Sequence, residues 1–135
     1  MNAPDERPLI LIVDDAPEML KMLPVQLEQW GYRALTAQTG EHGLELAKTH
    51  HPQLALVDIL MPRMKGREFC LALQQDSGTA GIPVIFLTAL DHDDNVRAGF
   101  ELGAEDYVTK PFDPAYLRER IRVCLLKHSR KPAES

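Results

Sequence analysis

Five polar side chains stand where apolar segments of this 135-residue chain end. They are Asp14, Asp15, Asp58, Thr88 and Lys110. Adjacent carboxylates repel each other unless a cation lies among them, and hard oxygen ligands suit Mg²⁺. A hydroxyl and an ammonium beside a metal-bound carboxylate suit a phosphoryl group, because the cations neutralise its oxygens. A carboxylate can itself act as the nucleophile and form an acyl phosphate.

The apolar segments predict the strands that bring these side chains together. The predicted strands are LILIV (9–13), YRAL (32–35), LALV (54–57), VIFL (84–87) and DYVT (106–109). Continuous apolar character over four or five residues, rather than alternation, indicates strands that are buried on both faces, as in a parallel sheet. The carboxyl ends of parallel strands form one edge, where ligands bind in open α/β sheets. We therefore expect the five polar side chains to meet at that edge.

Segments with helical periodicity separate the strands, and the best defined cover residues 17–30, 67–75, 91–102 and 113–128. The alternation of strand and helix predicts one doubly wound α/β domain. Pro24 lies inside the first helical segment, where a proline costs about 3 kcal/mol and should kink or interrupt the helix.

Composition places the chain among ordinary globular proteins. Its net charge is -5, with 44% hydrophobic and 26% charged residues, which gives no general attraction to nucleic acid or to anionic membranes. We expect a cytoplasmic protein without a signal peptide or a membrane span. Residues 1–8 form a predicted tail, residues 9–128 the domain, and residues 129–135 a polar tail or the start of a linker.

The cysteine and histidine residues carry no predicted function. We expect Cys70 and Cys124 to be structural thiols rather than a disulfide. No set of His and Cys residues stands out at the spacing of a zinc site. His50 and His51 lie near the end of a helical segment, where positive charge is favoured, so a helix-dipole role fits them better than a metal.

Each polar side chain also has a simpler structural interpretation. Asp15 and Glu18 have the spacing of a capping box, with Pro17 near the first helical position. Asp58 could be a turn residue, Thr88 a helix cap, and Lys110 an exposed loop charge. These interpretations work one at a time, but they do not explain why suitable residue types follow four of the five strands.

Four stretches resemble the receiver domain of bacterial two-component response regulators, and the resemblance covers about residues 8–128. They are LIVDDAPEML, LALVDILMPRMKGREF, IPVIFLTA and GAEDYVTKPF. The resemblance implies a flavodoxin-like (βα)5 fold whose five-stranded parallel sheet has the order 2-1-3-4-5, with helices on both faces. It also implies a phosphoacceptor signalling domain that catalyses its own phosphorylation and dephosphorylation.

The resemblance assigns roles to individual residues. Asp58 would accept the phosphoryl group, and Tyr107 would be an aromatic switch that turns inward when Thr88 moves. The implied Mg²⁺ ligands are Asp14 (mainly through water), Asp15, Asp58 and the backbone carbonyl of Leu60. The implied phosphate-binding residues are Thr88, Ala89 and Lys110, and the Lys110–Pro111 peptide bond is expected to be cis. Lys65 and Pro24 depart from the common pattern of the family.

The implied partners follow from the same resemblance. A sensor histidine kinase or a phosphotransfer protein would supply the phosphoryl group. The surface over residues 88–112, bounded by the predicted helix over 91–102, the fifth strand and the last helix, would then bind a partner or a second copy of the chain. We expect no direct contact with nucleic acid.

Three other functions deserve comparison. A phosphatase of the haloacid dehalogenase type also uses an aspartate nucleophile and Mg²⁺, but it needs D-x-D after the first strand, whereas Asp14 and Asp15 are adjacent. A binding module that is never phosphorylated would not require the complete set of polar residues. The C-terminal stretch contains basic residues at helical spacing, which favours a solvated helix face over a nucleic-acid footprint. Those basic residues are Arg118, Arg120, Arg122, Lys127, Arg130 and Lys131.

Overall fold

The computed structural model describes residues 6–61, 63–89 and 103–129, and the structural statements below refer to these residues. Five parallel strands form one sheet with the order β2-β1-β3-β4-β5, which confirms the predicted fold class. The strands are β1 (Leu9–Val13), β2 (Arg33–Ala37), β3 (Leu54–Asp58), β4 (Val84–Thr88) and β5 (Asp106–Thr109). Strands β1, β3 and β4 are buried along their whole length, as their continuous apolar character predicts.

Four helices lie among the described residues. They are α1 (Pro17–Gln29), α2 (Gly40–His50), α3 (Gly66–Gln74) and α4 (Pro114–Ser129). The predicted helix over 91–102 lies outside the described residues. None of the helices in the described ranges is both long enough and apolar enough to span a bilayer.

The sheet separates two hydrophobic layers. Leu11 and Val13 of β1 point into a layer with residues of α2 and α3, such as Phe69. Ile10 and Ile12 point to the other face, where α1 and α4 contribute Leu23 and Ile121, among others. Successive residues of a strand face opposite sides, so a fully apolar strand serves both layers. Burying both faces is what holds the strand ends in register.

Both cysteines are buried and have free thiols, and they belong to different layers. Cys70 lies in the layer with α2 and α3, and Cys124 lies in the layer with α1 and α4. The sheet separates the two side chains, so they cannot form a disulfide in this fold.

Two element predictions need correction. Helix α1 continues through Pro24 to Gln29, so the expected interruption does not occur. Strand β2 covers Arg33–Ala37 rather than residues 32–35. It is an edge strand that is only partly buried, so its apolar pattern marks its ends poorly.

The register aligns the carboxyl ends of the strands. Val13 is paired with Val57, Asp58 with Leu87, and Thr88 with Thr109. The residues that follow these pairs, or that end the strands, therefore reach the same edge of the sheet.

Candidate functional site

Three aspartates meet at the carboxyl edge of the sheet. Asp14 follows β1, and Asp58 is the last residue of the neighbouring strand β3. A carboxylate oxygen from each of Asp14, Asp15 and Asp58 lies within 4.8 Å of the other two. Asp14 and Asp58 are buried, whereas Asp15 is exposed, so the cluster opens to solvent on the Asp15 side.

Lys110 supplies the positive charge of the site. Its Nζ donates a hydrogen bond of 2.8 Å to Asp14 Oδ2 and lies 3.8 Å from Asp58 Oδ2. The resemblance implies a pairing of Lys110 with Asp58, but in the structure the shorter contact is to Asp14. The interpretation of Lys110 as an exposed loop charge is wrong, because its side chain is 20% exposed and is ion-paired. One ammonium therefore faces three carboxylates.

Asp58 has the most perturbed environment of the three. Burial raises the pKa of Asp58 to about 6, which Lys110 and the Leu60 backbone N–H oppose, while the charges of Asp14 and Asp15 raise it further. The Leu60 N–H donates to Asp58 Oδ1 at 3.2 Å. Oδ2 is left facing the Lys110 ammonium.

The capping-box interpretation of Asp15 is wrong. Helix α1 begins with Pro17 at its first position, and its N-cap is Ala16, whose side chain accepts no hydrogen bond. The Ala16 backbone N–H donates instead to Asp14 Oδ1 at 2.9 Å. Asp14 therefore holds the start of α1, and the carboxylate of Asp15 is not used as its cap.

Thr88 and Tyr107 lie on the same face of the sheet. Thr88 ends β4 and is fully buried, and it is paired with Thr109 of β5. Tyr107 is two residues before Thr109, is paired with Phe86, and packs against the layer that contains Phe86. Paired residues of neighbouring strands point the same way, so Thr88 and Tyr107 are diagonal neighbours. A displacement of one side chain would change the space available to the other.

The remaining predicted residues lie beside the cluster. Ala89 follows Thr88 and is exposed. The Lys110 backbone N–H donates to the Thr88 carbonyl at 2.7 Å, and the Lys110–Pro111 peptide bond is cis. Leu60 follows Asp58 by two residues, with its side chain 46% exposed. The structure thus brings every predicted site residue to one edge of the sheet.

Helix α3 approaches the site through a glycine that the sequence did not single out. A Cβ atom on Gly66 would lie 2.7 Å from the Asp58 carbonyl oxygen and 2.8 Å from Ile59 Cα. The Gly66 N–H donates to the Ile59 carbonyl at 2.9 Å, and the Lys65 N–H donates to Glu68 Oε1 at 2.8 Å. The start of α3 is therefore held against the strand end that carries Asp58.

The donor set fits Mg²⁺. Its three carboxylates are hard oxygen ligands, and two of them are buried with one lysine as their cationic partner. No thiol or imidazole takes part in this cluster, so the set differs from the ligands that zinc prefers.

The fold and the site together define a doubly wound α/β domain with an acidic, lysine-containing site at its carboxyl edge. Residues 10–122 match the model of the response regulator receiver domain. The chain belongs to the family of response regulator receiver domains, and it is a receiver of two-component signalling.

Solved receiver domains have the same fold. The CheY-like receiver domain protein of Methanospirillum hungatei superimposes with a TM-score of 0.88 at 30% identity, covering 94% of this chain and 100% of that one. A response regulator structure from Chloroflexus aurantiacus has a TM-score of 0.85 at 34% identity, covering 90% of this chain and 99% of that one.

Curated relatives extend beyond the aligned region. RpaA of Synechocystis, a DNA-binding dual master transcriptional regulator, is 39% identical over 125 residues, which are 93% of this chain and 52% of that protein. PhoP of Bacillus subtilis, a transcriptional regulatory protein of alkaline phosphatase synthesis, is 39% identical over 116 residues, which are 86% and 48% of the two proteins. This chain thus spans about half the length of these relatives. Because RpaA is named as DNA-binding, our prediction of no nucleic-acid contact finds no support among them.

Proposed function

We propose that Asp58 accepts a phosphoryl group from a phosphohistidine of a sensor histidine kinase or a phosphotransfer protein. The observation that carries this proposal is the position of Asp58. Its carboxylate is almost buried at a strand end, beside two more aspartates and within 3.8 Å of the Lys110 ammonium. In the reaction, Asp58 Oδ2 forms a bond to phosphorus while the bond from phosphorus to the histidine nitrogen breaks, and the leaving imidazole keeps the electron pair.

Mg²⁺ is the proposed cofactor. Asp15 and Asp58 would bind it directly, Asp14 would act mainly through water, and the Leu60 carbonyl would complete the protein ligands. When bound, the ion would neutralise negative charge on the phosphoryl oxygens and on the carboxylates.

The protein residues then hold the product. Lys110 is close enough to both Asp14 and Asp58 to turn its ammonium toward phosphoryl oxygens without leaving the site. Such charge-assisted hydrogen bonds are stronger than neutral ones. The Thr88 hydroxyl and the neighbouring Ala89 N–H are the proposed donors to the remaining oxygens.

The proposed output is a change in the surface over residues 88–112. If Thr88 turns toward the phosphoryl group, it frees space on the face where Tyr107 is its diagonal neighbour. Tyr107 can then turn inward, and the two positions of its ring give two surfaces with different affinity for a partner or for a second copy of the chain. The proposed domain covers residues 9–128, with polar tails on either side.

Intact mass spectrometry tests this function. The chain is incubated with acetyl phosphate, with Mg²⁺ or with a chelator, and Asp58→Asn is treated in parallel. The proposal predicts a gain of one phosphoryl mass that requires both Mg²⁺ and Asp58. Asp76→Asn is the matched control, because Asp76 is a turn residue whose carboxylate accepts the Gly78 N–H, away from the cluster. A mass gain of equal size in Asp58→Asn would contradict the assignment.

A further inference from the structure

We propose that Glu105, Cys124 and His128 form a second metal site, of the kind that binds Zn²⁺. The site lies at the amino edge of the sheet, opposite to Asp58. Glu105 directly precedes β5, and its backbone N–H donates to the Val84 carbonyl at 2.9 Å. From Glu105 to Lys110 the chain runs about 16 Å at the usual rise of a strand, so the two sites are separate.

The three side chains offer a mixed donor set. One carboxylate oxygen, one sulfur and one imidazole nitrogen all lie within 4.8 Å of one another. Cys124 and His128 are four residues apart in α4, so they lie one above the other on one face of the helix. Thiolate, imidazole and carboxylate are the ligands of zinc, whereas Mg²⁺ prefers oxygen ligands alone. The donors therefore select a different class of ion from the cluster around Asp58.

The geometry of His128 points to an ion. Its Nε2 is buried and makes no hydrogen bond, although it lies 3.2 Å from Glu105 Oε2. Two ligands bound tetrahedrally at about 2.0 Å from zinc are about 3.3 Å apart, which is close to this distance. A neutral imidazole nitrogen and a carboxylate oxygen both present lone pairs, so a cation between them would remove their repulsion.

The surroundings support a bound ion in two ways. Glu105 Oε1 lies 3.2 Å from the Lys127 Nζ, a contact that fixes the orientation of the carboxylate and leaves Oε2 directed toward His128. The Lys127 side chain is 68% exposed, so water screens its repulsion of a cation. A cavity of about 150 Å³, lined by Glu105, His128, Gln74 and other residues, has room for a water molecule as the fourth ligand.

A simpler arrangement uses no metal. A protonated His128 would form an ion pair with Glu105 at the same distance, and Cys124 would be only a buried thiol of the core. Glu105 contacts both groups in either arrangement, so a test must detect a bond to the sulfur. Cobalt is a suitable probe, because Co²⁺ takes zinc sites and a thiolate ligand gives a charge-transfer band in the near ultraviolet.

The experiment titrates the reduced chain with Co²⁺ in the presence of excess Mg²⁺, which occupies oxygen-only sites. We expect a thiolate-to-cobalt band and the visible spectrum of tetrahedral cobalt, both saturating at one ion per chain and both reversed by Zn²⁺. Cys124→Ala should lose the charge-transfer band, whereas Cys70→Ala should retain it, because Cys70 is a buried thiol of the other layer. Circular dichroism checks that both variants are folded.

Variants of the other two ligands extend the test. Glu105→Gln and His128→Gln should each weaken Co²⁺ binding by about tenfold or more. Asp58→Asn should retain the band, so this proposal stands or falls separately from the phosphoryl acceptor. The absence of a charge-transfer band, or its persistence in Cys124→Ala, would overturn the second metal site in favour of the ion pair.

Discussion

Asp14 shows at the scale of single residues how the site depends on positive charge. It is fully buried, and its two oxygens accept hydrogen bonds from the Ala16 N–H and from the Lys110 ammonium. A buried carboxylate that loses its cation loses more than one hydrogen bond, because the remaining charge is poorly solvated. The stability of the site should therefore respond both to Lys110 and to an added metal.

We predict that Lys110→Ala lowers the free energy of unfolding by about 1–3 kcal/mol without Mg²⁺. Mg²⁺ should restore more stability to this variant than it adds to the wild type, because the ion replaces the missing positive charge. Urea denaturation with and without Mg²⁺ measures both effects.

Lys127→Ala is the control for this experiment. Lys127 also contacts a carboxylate, Glu105, but it is largely exposed, so its removal should cost less than about 1 kcal/mol. Equal losses in the two lysine variants would show that the Lys110–Asp14 contact has no special weight.

The pKa of Asp58 predicts a dependence of stability on pH. Burial raises this pKa from 3.8 to about 6, so the folded protein holds the Asp58 proton more tightly than the unfolded chain does. The corresponding stabilisation is complete below about pH 4 and is lost as the pH rises through 6. Its size is of the order of 2–3 kcal/mol, from the shift in pKa.

Asp58→Asn isolates this term, because asparagine does not titrate. In a metal-free buffer, the free energy of unfolding of the wild type minus that of Asp58→Asn should decrease between pH 4 and 6.5. Denaturant unfolding at several pH values measures the difference. A difference that stays constant or increases over that interval would mean that burial does not raise the pKa.

The sequence predicted the identity of the site residues better than their contacts. Asp14, Asp58, Thr88 and Lys110 could be found because each follows an apolar run, and parallel strands end at one edge. The preference of Lys110 for Asp14 depends on side-chain positions that no local pattern encodes. The Glu105–Cys124–His128 cluster was missed for the same reason, since Glu105 is distant in sequence from the helix that carries the other two.

At the scale of secondary-structure elements, the approach of α3 to β3 is set by a glycine. An alanine side chain at Gly66 would place its Cβ against two backbone atoms, the Asp58 oxygen and the Ile59 Cα, which cannot move aside as a flexible side chain would. The clash should outweigh the gain in helix propensity from glycine to alanine.

We predict that Gly66→Ala lowers the free energy of unfolding by about 1–3 kcal/mol, as overpacking does. It should also slow phosphorylation by acetyl phosphate, since the Asp58 backbone must shift. Gly81→Ala is the matched control: a Cβ there meets no atom within 4 Å, and its effect should be within about 1 kcal/mol. Thermal unfolding and the rate of mass gain distinguish the two variants, and similar results for both would contradict the steric account.

Pro24 gives a prediction for α1. The helix continues through it, but a proline in a helix interior removes one backbone hydrogen bond and crowds the preceding turn. Pro24→Ala should therefore raise the free energy of unfolding by about 2 kcal/mol, after allowance for the more flexible unfolded chain. Val25→Ala, an exposed position in the same helix, is the control and should change stability by less than about 1 kcal/mol. A destabilised Pro24→Ala would show that the proline fits its site better than a regular helix residue.

Elements were predictable where both faces of a strand are buried, and less so at the edge. Strands β1, β3 and β4 read as continuous apolar runs, whereas the partly buried β2 was placed one residue too early and ended two residues too soon. The path of α1 through Pro24 was not predictable, because packing against β2 and the core can outweigh local propensity.

At the scale of the whole molecule, the sheet has two functional edges that differ in chemistry. The carboxyl edge carries the oxygen-rich cluster of Asp14, Asp15 and Asp58, and the amino edge carries the proposed zinc ligands. Strand β5 connects the edges, with Glu105 before it and Lys110 after it. The order of the strands could be expected from the family resemblance, but the second cluster could not, since it requires the packed position of α4.

A phosphoryl mimic should reveal which part of the molecule responds. With Mg²⁺ and beryllofluoride, the amide signals of residues 58–60, 88–89 and 107–112 should shift in nuclear magnetic resonance spectra. The signals of Leu9 and Gln53, at the amino edge, should change little, and Asp58→Asn should show no response. Unchanged signals over 107–112 in a chain that binds the mimic would contradict the proposed coupling of Thr88 to Tyr107.

The most direct test of the central claim identifies the residue that carries the phosphoryl group. After phosphorylation by acetyl phosphate with Mg²⁺, borohydride reduces an acyl phosphate to an alcohol and marks the aspartate that carried it, which peptide mass spectrometry then locates. We predict that the mark lies on Asp58 alone. A mark on Asp14 or Asp15, or a phosphorylated chain with no mark on Asp58, would contradict the account.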